Sequence, residues 1–168
     1  MLIRDARPNE LAEIGEIRVG AYLADGFLSP DSGYAPHLKG LGADGLGRVL
    51  VAVEDEASGD GRLLGTVMLQ DWTQGGQVVT GPGEAEVRAL AVRPEARGAG
   101  VGKALVAAVI ARAIETGVRH LVLLTQPEMK TAHRLYAEAG FARLPERDWS
   151  PEPGLTLLAY GLKLGDGG

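Results

Sequence analysis

The stretch that decides the fold is Glu86 to Leu105, EVRALAVRPEARGAGVGKAL. It begins as a β run rich in valine, leucine and alanine and is broken by Pro94. A glycine-rich loop then opens a long apolar helix, predicted over Val101 to Thr116 with Gly117 as its stop. Glycines allow a ligand close to the backbone, and the first N–H groups of a helix have no internal partner. Together with the helix dipole they favour an anion, and Arg97 and Lys103 add positive charge.

Spacing separates the loops that hold phosphates in this way. A nucleotide-triphosphate loop of the form G-x-x-x-x-G-K-[ST] fails twice, because Arg97 stands at the first glycine and Ala104 at the metal-binding hydroxyl. A dinucleotide turn, G-x-G-x-x-G, fails because Lys103 stands at the third glycine. What fits is R-x-x-G-x-G, as Arg97-Gly98-Ala99-Gly100-Val101-Gly102, behind a strand ending in L-A-V-R-P.

Outward from this segment the chain alternates short elements. Leu2 to Ala6 alternates apolar and charged residues, as a first strand does. Pro8 and Asn9 open a helix with Leu11, Ile14, Ile17 and Ala21 on one stripe and Gly26 at its end. Phe27 to Gly47 is punctuated by glycine and proline and has room for one short helix around Tyr34 to Leu41. Arg48 to Val53 and Leu63 to Gln70 read as a hairpin joined by the turn Glu54 to Gly61, and Gly75 to Gly83 is a second flexible link. His120 to Thr125 holds four consecutive apolar residues, as a strand covered on both faces does. A helix over Thr131 to Ala139 is closed by Gly140, and Phe141 to Arg143 and Leu155 to Leu164 supply the last strands.

This order predicts an α/β (α+β) fold with a mixed, mostly antiparallel central sheet and helices on both faces. It also predicts one domain over residues 1–164 and a frayed tail over 165–168.

Composition narrows the function. With 168 residues, 45% hydrophobic and 23% charged, the chain can bury a core of its own. A net charge of −5 without a basic stripe argues against nucleic acid and is mildly suited to a cationic acceptor. The absence of cysteine excludes disulfides, thiolate metal sites and an acyl-cysteine intermediate. His37, His120 and His133 lie too far apart for a metal pair on one helix, so no metal is expected. The longest apolar run, Ala104 to Ala111, is too short for a bilayer, and the N-terminus has no apolar core of signal-peptide length. A cytoplasmic protein with no membrane partner is the expectation.

The loop, the strand before it and the helix after it resemble the signature of the GNAT superfamily of N-acetyltransferases. Downstream, Ala132-His133-Arg134-Leu135-Tyr136-Ala137-Glu138-Ala139-Gly140-Phe141 is similar to that family's A-x-x-L-Y-x-x-x-G-F helix and strand. The resemblance implies a pair of parallel strands, ending at Val92 and Thr125, that splay apart to admit the pantetheine arm of acetyl-CoA. It implies pantetheine pairing by the backbone of Leu90, Ala91 and Val92, and pyrophosphate binding by Arg97, Gly98, Ala99, Gly100, Val101, Gly102 and Lys103. An amide near Leu90 would polarise the thioester carbonyl.

Under the same resemblance Glu86 takes the position of the base that deprotonates the attacking amine, with Glu84 on the same face, or a water, as alternatives. Tyr136 takes the position of the acid that protonates the leaving thiolate. With no cysteine, transfer is expected to be direct. Where the family often carries an asparagine this chain has Met129, which bears on a water relay but not on the loop.

Each of these residues also has a plainer reading. Tyr136 serves equally as a core aromatic beside Leu135 and Phe141, Glu86 as a solvated charge at a strand start, and His133 and His120 as surface residues. Tyr22, Asp31 and Tyr34 lie where the family builds a variable wall of its acceptor site. The expected acceptor is an amine, of a small molecule first and of a protein N-terminus or lysine second. A non-catalytic acyl-CoA-binding module is the remaining alternative, and monomer and homodimer are both open.

Overall fold

The computed structural model describes residues 1–54, 61–74 and 77–165. Residues 55–60 of the expected turn, 75 and 76 of the expected link, and 166–168 of the expected tail lie outside the described residues. The described elements are β1 (Leu2–Asp5), α1 (Leu11–Ala24), α2 (Ala35–Gly40), β2 (Arg48–Val53), β3 (Leu63–Asp71), β4 (Glu84–Val92), α3 (Val101–Glu115), β5 (His120–Thr125), α4 (Lys130–Glu138), β6 (Ala142–Arg143), β7 (Trp149–Glu152) and β8 (Leu155–Lys163). Two compact units emerge, Met1–Met68 with Ala89–Ala108 and Leu69–Arg88 with Val109–Gly168.

In the first unit the strand order is β1-β2-β3-β4. β1 and β2 are antiparallel, in register from Leu2↔Val53 to Asp5↔Leu50. β2 is buried from Val49 to Val53 and β3 from Leu63 to Gln70, without the alternation of a half-exposed strand. Strands covered on both faces lose their polar positions in this way.

The stripe expected of α1 is present. Ile14, Ile17 and Ala21 pack with Val49, Val51, Val53, Leu63, Met68 and Ala91. The same face also carries an arginine. Arg18 is fully buried, and its Nη1 donates to the carbonyls of Leu38 at 3.3 Å and Leu41 at 2.7 Å. Those carbonyls end α2 and have no helical N–H to accept from, so a guanidinium reaching from α1 satisfies them.

In the second unit the order is β4-β5-β8-β6, with β7 pairing to β8 beside this path. The β4–β5 pair is parallel, joined by α3 as a crossover, and β5–β8, β6–β8 and β7–β8 are antiparallel. Leu121, Val122 and Leu123 of β5 are at most 1% exposed, as their unbroken apolar run predicts. Val122 and Ala159 form a core with Val78.

β7 has no counterpart in the sequence reading. Its four residues, Trp149-Ser150-Pro151-Glu152, are all exposed, so no burial pattern marks them, and a proline interrupts them.

Candidate active site

The phosphate-type loop belongs to the first unit. After β4, Pro94–Ala96 makes one 3-10 turn, and Gly98 and Gly100 follow with φ of 85° and 81°. An L side chain is strained in that region, and a Cβ at either position would have no protein atom within 4 Å. The glycines are therefore required by backbone shape, and the space beside them is open. The first helical bond is from Ala104 N–H to the Gly100 carbonyl, 3.0 Å. The amides of Val101, Gly102 and Lys103 lie before it and have no helical partner. Amide donors, two left-handed glycines and the Lys103 ammonium fit a diphosphate by the chemistry of the donor set. Arg97 is held beside this loop by Asp25, just past the end of α1, with Nη1 2.7 Å from Oδ1.

The strand leading to the loop has a break of its own. The parallel ladder of β4 and β5 runs from Glu84↔His120 to Val87↔Leu123. Two residues later Ala89 adopts φ of 55°, the one non-glycine with positive φ among the described residues. A left-handed residue inside a strand interrupts the side-chain alternation and bends the strand, as a bulge does. Leu90, Ala91 and Val92 follow it. No sequence signal marks Ala89, since alanine carries no preference for that conformation.

Glu84, Glu86 and Arg88 fall on one face of β4, alternating with the buried Ala85 and Val87. Both carboxylates gather the same backbone segment. Glu86 Oε1 accepts from the N–H of Gln77 at 2.6 Å and of Val78 at 3.0 Å. Glu84 Oε1 accepts from the N–H of Thr80 at 2.9 Å and its hydroxyl at 3.0 Å.

Their acid–base characters diverge. Glu86 is 1% exposed. Burial pushes its carboxyl up from the ordinary value, against the opposing pull of the Val78 and Gln77 amides and of Arg88. Burial also works on Glu84, but the Arg147 guanidinium, the Thr80 amide and His120 outweigh it and bring its carboxyl down to about 2. Arg147 grips Glu84 with two bonds of 2.9 and 2.7 Å, and His120 Nδ1 lies 3.0 Å from Oε2. A carboxylate so stabilised is a weak proton acceptor, and Glu84 is the ion-pair partner of Arg147.

Tyr136 is 6% exposed on α4, with its ring 5.6 Å from Phe141 and 6.3 Å from Tyr160. It thus has the core packing of the plainer reading. His133, one turn earlier, is half-buried, with Nε2 3.0 Å from the Gln126 carbonyl and its ring 5.5 Å from Tyr160. Burial lowers its tendency to protonate, with the Gln126 carbonyl acting the other way. Met129 precedes α4, and the Thr125 hydroxyl donates to its sulfur at 3.6 Å.

The structure thus brings Glu84 and Glu86 together on one strand face and places Tyr136 in the same unit, while Leu90 to Lys103 belong to the other. Arg88, Arg147 and Gln70 were not singled out by sequence reasoning. Only pairing across the fold distinguishes them from ordinary surface polar residues. Tyr34, in the region of the expected acceptor wall, is 42% exposed, with its ring 5.3 Å from that of His37.

Among the described residues there is no group of three His, Asp or Glu able to hold a metal, and no helix is long and apolar enough to cross a membrane.

A model of the acetyltransferase (GNAT) family matches residues 16–141. The mycothiol acetyltransferase of Cellulomonas flavigena is 40% identical over 93 residues, which cover 52% of this chain and 26% of that protein. The matched part thus amounts to about a quarter of the curated relative. Among solved structures, an acetyltransferase of the GNAT family from Staphylococcus aureus Mu50 superposes with a TM-score of 0.73 at 17% identity, covering 98% of this chain and 99% of that one. The yncA acetyltransferase of Salmonella typhimurium, solved with its cofactor acetyl-CoA, gives 0.68 at 24% identity, covering 98% and 94%. At these identities the likeness is one of fold. With its signature loop, its mixed sheet and a family match over most of its length, the chain belongs to the GNAT family of acetyltransferases.

Proposed function

We propose that this chain transfers the acetyl group of acetyl-CoA directly to an amine, with a small molecule as acceptor. The observation that carries the reading is the loop Arg97 to Lys103: paired left-handed glycines before a helix whose first amides lack partners, in a chain of this family. Those amides and Lys103 take the pyrophosphate, Arg97 adds charge, and the backbone of Leu90, Ala91 and Val92 pairs with the pantetheine. Acetyl-CoA supplies the activated thioester.

The remaining steps are proton movements by residues of this chain. An amine is mostly protonated near neutrality, and only its free base attacks a carbonyl. Glu86 takes the amine proton. Its burial raises its affinity for a proton, and Oε2 is left free of the backbone amides that occupy Oε1. As nitrogen bonds to the acetyl carbon and the carbon–sulfur bond breaks, Tyr136 gives its phenolic proton to the departing thiolate. The second proton of the now cationic nitrogen then restores the phenol, and the proton held by Glu86 leaves to solvent.

A second reading, a non-catalytic acyl-CoA-binding module, is favoured by the two amide bonds that occupy Glu86 and by Met129 at the family's asparagine position. Acetylation of a protein N-terminus or lysine is the alternative acceptor class. Calorimetric titration with acetyl-CoA, with ATP and NAD as controls, tests the loop, and selective saturable binding of acetyl-CoA is expected. Glu86→Gln and Tyr136→Phe then separate enzyme from module. Each should retain that binding and lose turnover by about 10²- to 10⁴-fold in a CoA-release assay with an amine panel. Binding without turnover on any amine, in the unaltered protein, favours the module.

A further inference from the structure

We propose that Arg88 makes this site selective for amines that carry a carboxylate on the neighbouring carbon, that is, for α-amino acids; the inference rests on the reading of Glu86 given above. Arg88 lies on the same face of β4 as Glu86, and its side chain is only 10% exposed. Its Nη1 donates to Gln70 Oε1 at 3.1 Å, and its Nε lies 3.6 Å from Glu86 Oε2, beyond a good hydrogen bond. Gln70 is itself 6% exposed.

A guanidinium offers five N–H donors in a planar fork. Among the described residues no other acceptor engages this one, so Nη2 and the second hydrogen of Nη1 remain available. Among the described residues no nitrogen of Arg88 is both buried and unpartnered, so its remaining donors are open to water or to a ligand that displaces it. A chain gains from that arrangement where a ligand completes the set, and the planar fork matches a carboxylate in particular.

Geometry narrows the class further. In an α-amino acid the nitrogen and the nearer carboxylate oxygen are separated by roughly 3 Å, as bond lengths dictate. Glu86 Oε2 and Arg88 Nε present the opposite charges 3.6 Å apart. An α-ammonium against Glu86 and an α-carboxylate against Arg88 therefore form two antiparallel charge pairs from one small molecule. The carboxylate also balances Arg88 at the moment Glu86 accepts a proton and ceases to be its counter-ion. Gln70 holds the fork from the other side and fixes its plane.

The test compares common L-α-amino acids with their carboxamides and their decarboxylated amines, as acceptors in a CoA-release assay with acetyl-CoA. The free acids should show kcat/KM at least about tenfold higher than their neutral partners. In Arg88→Gln that preference should fall to near unity, and in Arg88→Lys part of it should remain. A merely structural arginine would lower activity toward all three sets alike. Acetyl-CoA affinity, measured on each variant, confirms that it is folded. Equal or better turnover of the decarboxylated amines by the unaltered protein overturns the inference and leaves the acetyltransferase reading standing. No turnover of any acceptor also overturns it, and acetyl-CoA binding in that case shows whether the cofactor reading falls with it.

Discussion

Glu84 and Glu86 stand two residues apart on one strand and are driven to opposite acid–base characters by their surroundings. Glu84 has a bidentate arginine, a histidine, a hydroxyl and an amide around it, and its carboxyl falls to about 2 from 4.5. A carboxyl depressed in the folded state contributes stability that is full above the unfolded value and is lost as pH falls from about 4.5 towards about 2. Glu84→Gln should therefore cost about 2 kcal/mol at neutral pH. The difference from the unaltered protein should narrow across that acid window in urea denaturation series. Glu86 has the opposite sign: its raised carboxyl favours the folded state below the ordinary value and penalises it as pH rises. A glutamine at 86 keeps an oxygen for the Gln77 and Val78 amides and should be well tolerated in the fold. The presence of a carboxylate at each position was legible in the sequence. Their opposite acid–base characters were not, because that of Glu84 depends on Arg147 and His120, which lie 63 and 36 residues away from it.

At the scale of elements, β3, β4 and α3 of the first unit meet at Gly65. A Cβ built there would lie 2.7 Å from the Ala91 carbonyl oxygen, 3.1 Å from Leu105 and 3.2 Å from Val101. The absent side chain lets the first turn of α3, and so the loop before it, sit close on the sheet. Gly65→Ala should destabilise the protein by about 2 kcal/mol, the ordinary cost of overpacking, as read by chemical denaturation. It should also weaken acetyl-CoA binding in calorimetry if the proposed pyrophosphate site is correct, because Val101 must move and its amide belongs to that site. Most elements were visible in advance, since β2, β5, α1 and α3 each have an apolar run or stripe of the right period with a glycine or proline at the end. β4 begins two residues earlier than its pattern suggests, because Glu84 is held by partners and not by burial of an apolar side chain. β7 escaped because the whole strand is exposed.

Across the whole molecule, a ligand that binds only the folded chain stabilises all of it by mass action. Acetyl-CoA at about 100 times its dissociation constant should add about 2.7 kcal/mol. For a chain of this length that is a rise in Tm of roughly 5–10 °C. Thermal denaturation followed by circular dichroism reads this directly. ATP and NAD at the same concentration should leave Tm unchanged; an equal rise with ATP would mean that the loop binds phosphate without selecting acetyl-CoA.

Local features of the sequence were enough to mark the family and the position of the glycine-rich loop. Both rest on local rules: glycines where φ must be positive, a proline that ends a strand, an apolar helix whose first amides are free, and a spacing that excludes the other phosphate loops. The sequence also puts Glu86 and Tyr136 at positions that match the family's pattern. What surrounds those two residues is set by the folded chain. The left-handed Ala89, the burial of Glu86 against the 77–78 backbone, the arginine that neutralises Glu84 and the incompletely matched arginine beside Glu86 all arise from segments far apart in the chain. A pKa or an unfilled donor is a property of an environment, and an environment is assembled only when the chain folds.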